Sequence, residues 1–193
     1  MADTPKILAF SGSLRGGSWN KKLVRVAAAA ARDAGASVTE FDLRELNLPL
    51  YDEDLEARDG LPEGAKRLKS LMSSHHGLLI ASPEYNSSIS AALKNAIDWA
   101  SRPVAGQPPL EAFNDKVAVL MSTSPGALGG LRGLVHLRAI LGNINVTVLP
   151  QQFALSKSHE AFDANGDLKD AKTRDIVRGL GDQLVKTLRK LLA

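Results

Sequence analysis

Residues 6–20 read KILAFSGSLRGGSWN, an apolar run that changes abruptly into glycine, serine and arginine. Residues 6–12 predict a buried strand ending in a glycine turn, because short apolar runs bounded by turn residues are typical of strands covered on both faces. After the loop, small and apolar residues recur at helical spacing from Leu23 to Ala31, and Gly35 closes that segment. The stretch therefore predicts a strand, a loop and a helix, which together form the first unit of an α/β fold.

The same alternation continues along the chain. Further strands are predicted at 36–43, 77–82, 116–123 and 145–150, and further helices at 63–74, 90–100 and 131–142 and from Ile176 to Leu191. Five strands alternating with five helices predict a parallel sheet with helices on both faces. Two doubly wound orders fit this pattern, the six-stranded dinucleotide-binding order and the five-stranded flavodoxin-like order 2-1-3-4-5. Length and strand count favour the second, so we expect residues 1–193 to form a single flavodoxin-like domain.

Composition excludes several classes of function. The chain has no cysteine, which excludes disulfides, Cys-ligated zinc, iron–sulfur clusters and a thiol nucleophile. The formal net charge is only +3, and no Lys/Arg cluster is dense enough to indicate a nucleic-acid stripe. No signal peptide is visible, and no apolar run approaches the roughly 18 residues of a membrane span. We therefore expect a cytoplasmic protein without nucleic-acid or membrane partners.

The loop at 11–20 has the composition of an anion site. Three glycines allow close approach of the backbone, short polar side chains supply hydrogen-bond donors, and Arg15 adds a permanent charge. The start of the following helix adds unpaired N–H groups, so phosphate is the usual occupant of such a site. The alternative is a glycine-rich turn in which Ser18 merely caps the helix.

Three familiar motifs are absent from this loop. No lysine follows the second glycine, which disfavours a nucleoside-triphosphatase loop, and the absence of G-x-G-x-x-G disfavours classical dinucleotide binding. Around Ser18 the string GGSWN lacks the final glycine of a hydrolase nucleophile elbow, and no histidine is an evident partner. A serine nucleophile is therefore disfavoured.

Two further loops, at 82–90 and 122–133, are expected at carboxyl ends of strands, where ligands bind in this class of fold. In the loop at 82–90, the second of the three, Pro83 stiffens the strand exit, while Tyr85 and Asn86 could frame the face and edge of a planar heterocycle. The alternative is a Pro-Asn turn with an exposed tyrosine. In the loop at 122–133, the third of the three, four glycines are compatible with another surface for close approach of the backbone to a ligand.

No metal site is predicted. His75 and His76 lie at a helix–strand junction without a spaced partner and are expected to be solvated, and a packing or interface role is expected for His136. The string DANGDL at 163–168 suggests a calcium loop, but Leu168 occupies the glycine position and Arg174 the glutamate position, so a polar turn is expected.

Three strings together resemble the NAD(P)H-dependent FMN reductases, a family that includes quinone, azo-dye and chromate reductases. They are GSLRGGSWN (12–20), SPEYNSSISAALKNAIDWASR (82–102) and STSPGALGGLRG (122–133). The resemblance extends over roughly residues 5–155, and its PEYN…LKNAIDW string is quite specific to this family. It implies a flavodoxin-like fold that binds FMN non-covalently, usually in a homodimer or a dimer of dimers.

The resemblance also implies the residues that bind FMN. Those of the first loop lie around the phosphate, those of the second flank the isoalloxazine, and those of the third line its other side. They are Ser13, Leu14, Arg15, Ser18, Trp19 and Asn20, then Pro83, Glu84, Tyr85, Asn86 and Ser87, then Ser124 and Gly126. For Asp98 and Trp99, on the helix that follows, packing in the core or in a dimer is at least as well supported as cofactor contact.

The chain departs from the family pattern at the second loop. Many relatives read PEYNGSIPGxLKN, whereas this chain has Ser87, Ser90 and Ala91 where glycine, proline and glycine are common. These departures imply a different pocket at the flavin edge and hence a different acceptor preference. FMN binding is expected to be retained, because the phosphate loop and PEYN are intact.

The implied activity is that of an FMN-dependent NAD(P)H oxidoreductase. FMN N5 would take a hydride from NADPH or NADH and pass two electrons to quinones, azo compounds, free flavin or similar acceptors. No catalytic side chain is required, and one pocket shared by donor and acceptor predicts ping-pong kinetics. The alternative is a flavodoxin-type electron carrier without pyridine-nucleotide activity, which Arg15 and the positive net charge disfavour. NADH and NADPH are not distinguished, with Arg15 and Arg102 as candidates for a 2′-phosphate contact, and the choice of dimer or tetramer is also open.

Overall fold

The computed structural model describes residues 3–193, and its main sheet has five parallel strands. These are β1 (Lys6–Ser11), β2 (Ser37–Asp42), β3 (Gly77–Ala81), β6 (Val117–Thr123) and β7 (Thr147–Leu155). They lie in the order β2-β1-β3-β6-β7. Counted along the chain within this sheet, that order is 2-1-3-4-5, so the flavodoxin-like prediction is confirmed.

Helices cover the sheet on both faces. They are α1 (Trp19–Asp33), α2 (Glu53–Asp59), α3 (Glu63–Ser73), α4 (Ala91–Ala100), α5 (Leu131–Asn143), α6 (Ser158–Ala161) and α7 (Ala171–Leu191). A short 3₁₀ helix (Leu43–Leu46) follows β2. None of the helices within residues 3–193 combines the length and apolar character needed to cross a lipid bilayer.

Each central strand contributes to two hydrophobic cores. In β1, Ile7 and Ala9 pack with α1 and α7, whereas Leu8 and Phe10 pack with α3, α4 and α5. Successive side chains of a strand point to opposite faces, so a strand between two helical layers must be apolar throughout. This is why the continuously apolar runs in the sequence predicted the sheet correctly.

The last strand is longer than predicted, because the prediction ended at Pro150. Strand β7 lies at the edge of the sheet and shifts register against β6 between Ala118 and Leu120. The shift pairs Ala118 with Val148 and Leu120 with Gln152, so Pro150 lies in the bulge. Proline is tolerated at edges and bulges, because no ladder hydrogen bond is required from its nitrogen.

Several short elements were not predicted, namely the 3₁₀ helix, α2, α6 and a two-stranded hairpin formed by β4 (Glu84–Tyr85) and β5 (Ser88–Ile89). Helix α2 contains no buried residue and so lacks the apolar stripe by which a helix is recognised. It is supported instead by Asp52, whose side chain accepts hydrogen bonds from the backbone N–H groups of Asp54 and Leu55.

Candidate functional site

Three loops meet at the carboxyl edge of the sheet, since they follow the adjacent strands β1, β3 and β6. The backbone N–H of Gly12 donates to the carbonyl of Ala81 at 2.9 Å, and that of Ser82 donates to the carbonyl of Met121 at 2.9 Å. Side chains then join the second loop to the third through Glu84. The three predicted loops are thus brought together in one place.

The first loop presents unpaired backbone donors at the start of α1. Gly16 and Gly17 are exposed, and a side-chain carbon at either position would meet no atom within 4 Å. Ser18 occupies the N-cap position, but its hydroxyl makes no capping hydrogen bond. Within residues 3–193, the N–H groups of Gly16, Gly17 and Ser18 have no protein acceptor. The arrangement is a helix N-terminus open to an anion, and the alternative of a simple Ser18 cap is not what the structure adopts.

Arg15 lies exposed in the same loop. Its guanidinium lies 4.7 Å from the centre of the Trp19 ring, a cation–π contact that restrains the side chain beside the start of α1. Ser13 is buried, and its hydroxyl accepts a hydrogen bond from the backbone N–H of Arg15 at 3.3 Å. The exposed Leu14 offers its carbonyl to the guanidinium of Arg44. The loop thus leaves one cation available to a ligand.

Asn20 joins α1 to the end of β6. Its amide nitrogen donates to the carbonyl of Thr123 at 2.9 Å, and its amide oxygen accepts from the backbone N–H of Thr123 at 3.0 Å. The side chain is buried. Asn20 therefore links the first loop to the third, and its predicted place around a phosphate remains a prediction.

The second loop forms a two-residue hairpin turn. Tyr85 pairs with Ser88 across the hairpin, and the turn residues Asn86 and Ser87 both have positive φ, 50° and 68°. Positive φ at both positions is typical of a type I′ turn, which favours Asn-Gly. The Tyr85 side chain is 58% exposed, whereas Pro83 is buried. The hairpin thus presents a tyrosine ring to solvent at the edge where the three loops meet.

Glu84 fastens this hairpin to α5. Its carboxylate accepts from the Arg132 guanidinium, with Nη2 at 2.7 Å, and from the backbone N–H of Gly133 at 3.1 Å. Burial opposes ionisation of Glu84, but the Gly133 N–H and the Arg132 charge outweigh it and lower the pKa of the carboxyl. The carboxylate is therefore ionised at neutral pH and already paired within the chain.

The third loop packs tightly on the sheet. Gly129 and Gly130 have φ of 62° and 93°, and a side-chain carbon at Gly130 would lie 1.8 Å from Oγ of Ser122. These glycines thus serve close approach to the protein's own strand. Ser124 is tied by its backbone to Leu155 and Ser158, while Gly126 is exposed. Gly126 is the predicted residue of this loop that is open to solvent.

The family string LKNAIDW (93–99) lies in α4, and two of its side chains hydrogen-bond the backbone of residues 49–51, after β2. Asn95 accepts from the backbone N–H of Tyr51 at 2.8 Å and donates to the carbonyl of Pro49 at 2.8 Å. Trp99 is completely buried and donates to the same carbonyl at 2.8 Å. Asp98 pairs with Lys94 one turn earlier. Packing in the core is thus the role of Trp99.

Two side chains at the site were not singled out as site residues by the sequence. Ser90 Oγ donates to the carbonyl of Gly12 at 2.5 Å, and Arg44 Nε donates to the carbonyl of Leu14 at 2.8 Å. A serine directly before a helix is a recognisable N-cap signal for Ser90. No local signal exists for either contact with the first loop, because both join residues distant in sequence.

Other candidates lie away from these loops. Arg102 follows the end of α4 and pairs with Glu56 at 2.8 Å, so its charge is already paired within the chain. The expectation of a solvated His75 is wrong, since His75 is buried and contacts Thr39 and the carbonyl of Leu71. The His75 ring packs against β2 instead of facing solvent. His136 is exposed and contacts the hydroxyl of Ser88.

The string at 163–168 forms the expected polar turn. Asp163 accepts from the backbone N–H groups of Asn165 and Asp167, each at 2.9 Å. Within the part of the chain that the structure describes, no three His, Asp or Glu side chains are grouped as metal ligands would be.

Comparison with known proteins gives a consistent result. The family model described as NADPH-dependent FMN reductase matches residues 5–160. The chain is 37% identical over 192 residues to an NAD(P)H-dependent FMN reductase of Pseudomonas aeruginosa, covering 99% of each chain. It is 35% identical to a 2-hydroxy-1,4-benzoquinone reductase of a Burkholderia species, covering 95% of this chain and 96% of that protein.

A solved structure agrees with these sequence relatives. FerB of Paracoccus denitrificans, a flavoenzyme NAD(P)H:(acceptor) oxidoreductase, superimposes with a TM-score of 0.81 at 32% identity. The superposition covers 97% of this chain and 98% of FerB. The likeness thus extends over nearly the whole of both chains.

Proposed function

The chain belongs to the NADPH-dependent FMN reductase family, and we propose that it is an NAD(P)H-dependent oxidoreductase that binds FMN where the three loops meet. The observation that carries the proposal is that the matched segment, residues 5–160, includes the loop in which the N–H groups of Gly16, Gly17 and Ser18 have no acceptor within residues 3–193. We further propose that residues 1–193 form one FMN-binding domain, because both hydrophobic cores are built on the same sheet.

The residues present fit the phosphate of FMN. The open N–H groups of Gly16, Gly17 and Ser18 and the positive end of α1 suit a dianion. Arg15 adds charge beside them, and the Ser18 hydroxyl makes no capping bond. Gly16 and Gly17 bring no side chain to the loop, and a side-chain carbon at either position would meet no described atom within 4 Å.

The remaining residues suit the ring. FMN, when bound, accepts a hydride from NAD(P)H and supplies two electrons to an acceptor. The chain's part is to hold and orient the ring between the hairpin and the third loop. Tyr85 offers a stacking surface, and Glu84 keeps the hairpin against α5 through Arg132 and Gly133. No side chain is required to transfer a proton at FMN N5.

Quinones are the acceptors that the relatives indicate, since one relative is a benzoquinone reductase. Azo compounds and free flavin belong to the same proposal, as small two-electron acceptors. The alternative of a flavodoxin-type carrier has no support among these relatives. We propose the cytoplasm as the location, because NAD(P)H is supplied there.

The visible spectrum tests this function. The purified protein should be yellow, or become so with added FMN, and should bleach promptly when NADPH or NADH is added without oxygen. Steady-state rates with a quinone should give parallel double-reciprocal lines, the mark of ping-pong kinetics. A yellow protein that does not bleach would support the carrier instead, and failure to bind FMN would exclude both functions.

We also propose a homodimer, alone or paired into a tetramer, in which a second copy covers the exposed apolar side chains near the hairpin. Leu131 and Val135 lie one turn apart on α5 and are 41% and 59% exposed, and Leu128 precedes them at 50%. Helix α5 also carries Gly133, against which the hairpin packs. An apolar face of this kind indicates an association surface.

Light scattering on a sizing column tests the assembly. The wild-type protein should give at least twice the 20.6 kDa of one chain, and Val135→Asp should give the monomer. Ile176→Asp, at another exposed apolar residue on α7, is the matched control and should leave the mass unchanged. A monomeric wild type would contradict the dimer, and a dimeric Val135→Asp protein would exclude this face.

A further inference from the structure

The first loop is held from outside by two of its carbonyl groups. The Gly12 carbonyl accepts from the Ser90 hydroxyl at 2.5 Å, and the Leu14 carbonyl accepts from Arg44. Beyond them, Gly16 and Gly17 face open space. The conformation of the open end therefore depends on how its anchored start is held.

Fixing a carbonyl fixes a whole peptide unit. The unit is planar and trans, so the N–H of Ser13 points opposite to the carbonyl of Gly12. The Ser13 hydroxyl in turn accepts a hydrogen bond from the backbone N–H of Arg15 at 3.3 Å. The orientation set at Gly12 is thereby passed to the residue that carries the loop's charge.

Ser90 makes this anchor rigid because its hydroxyl serves two elements. While donating to Gly12, it accepts from the backbone N–H of Leu93 at 3.2 Å as the N-cap of α4. Ser90 is buried, and a side chain at Gly12 would lie 2.9 Å from the Leu93 side chain, so the loop and the helix are in close contact here. A proline at this position has no hydroxyl and would make neither bond.

We propose that Ser90 is a positioning residue for phosphate recognition, setting the first loop through the Gly12 carbonyl so that its N–H groups and Arg15 receive the phosphate of FMN. The inference rests on the proposed function. The Ser90 bond to the Gly12 carbonyl acts on the loop that holds the phosphate. Losing that bond should therefore weaken binding of FMN but leave binding of riboflavin, which lacks the phosphate, unchanged.

The experiment measures the Kd of FMN and of riboflavin for the full chain, stripped of flavin, by fluorescence titration. Ser90→Ala should raise the Kd of FMN roughly three- to tenfold, the effect of one lost hydrogen bond, and leave that of riboflavin unaltered. Ser90→Gly should act likewise while preserving the start of α4, because glycine is tolerated at an N-cap. Ser90→Thr retains the hydroxyl and should restore FMN affinity.

Ser101→Ala is the matched control. This substitution also removes a hydroxyl hydrogen bond, the one from Ser101 to the Asp98 carbonyl, but at the far end of α4. It should leave both dissociation constants unchanged. Equal losses for FMN and riboflavin in Ser90→Gly would make Ser90 a structural residue of α4 and overturn the inference, as would unchanged binding of both. A wild-type chain that binds no FMN would instead overturn the proposed function, and the inference with it.

Discussion

Among the single residues of the site, Arg15 is the cation best placed to meet a phosphate. Of the two lysines in the first turn of α1, Lys21 is paired with Asp42 at the end of β2 and Lys22 lies over the Phe162 ring. Arg15 forms no ion pair within residues 3–193 and is restrained over Trp19. Its charge is therefore available to an anion bound at the N-terminus of α1.

Arg15→Ala should weaken FMN binding by roughly tenfold, because a charge-assisted hydrogen bond at an exposed site is lost. The melting temperature should not change, since the side chain is on the surface. Titration of the full chain with FMN measures the effect. Arg25→Ala removes the same charge from an exposed part of α1 and should leave affinity unaltered; equal losses in both variants would reduce the role of Arg15 to net charge.

The hairpin turn strains the backbone of Ser87. With φ of 68° it occupies the left-handed region, which disfavours residues with a Cβ. Ser87→Gly should raise the free energy of unfolding by about 0.5–1 kcal/mol, the part of this strain that exceeds the greater freedom of glycine in the unfolded chain. Urea denaturation measures it. Ser87→Ala keeps the Cβ and should give no gain, and a gain equal to that of glycine would contradict the explanation.

At the scale of elements, α4 holds together two parts of the structure. Its first turn meets the first loop through Ser90, and its later turns hold residues 49–51 through Asn95 and Trp99. The family string after PEYN is therefore explained by packing, because its polar side chains satisfy backbone groups of a segment without regular structure.

Asn95→Ala should lower the free energy of unfolding by about 1–3 kcal/mol, because it leaves the N–H of Tyr51 without its acceptor and removes one of two donors to Pro49. Amide exchange of Tyr51 should accelerate selectively. Lys94→Ala, an exposed neighbour on the same helix, is the control and should change neither quantity appreciably. Unchanged exchange at Tyr51 in the Asn95 variant would contradict these hydrogen bonds.

At the scale of the whole molecule, the two edges of the sheet differ in role. The carboxyl edge carries the three loops, whereas the amino edge holds His75 buried against β2 near Lys6 and Lys116. Burial lowers the pKa of His75, and the two lysines add to the effect while the bond to Leu71 opposes it. His75 is therefore neutral in the folded protein at neutral pH.

This predicts a loss of stability on mild acidification. The unfolded chain takes up the proton near the ordinary histidine pKa of about 6.5, whereas the folded chain does so only at lower pH. Stability is thus complete above about pH 6.5 and falls as the pH drops below it. Urea midpoints between pH 8 and 5 measure the slope. His75→Gln should reduce the slope without abolishing it, because burial also lowers the pKa of His76. An unchanged slope in this variant would contradict the assignment.

How much the sequence predicted follows from the range of the interactions involved. Burial on both faces makes a strand apolar throughout, so five short runs were enough to predict the sheet, and chain length and strand count favoured its order. Helix α2 was not predicted because it buries no residue. The predicted end of β7 at Pro150 was too early, because only a strand at the edge of a sheet, with a bulge, accommodates proline.

Local composition alone predicted an anion site in the first loop and, through its strings, the family, since glycines, short donors and a helix start act over a few residues. The tertiary structure decided which of those residues remain open. It committed Asn20 to Thr123 and Glu84 to Arg132, and it placed Ser90 on the Gly12 carbonyl. Such contacts join residues 48 to 103 positions apart. Only the packing of the sheet brings such residues together, and no local pattern specifies it.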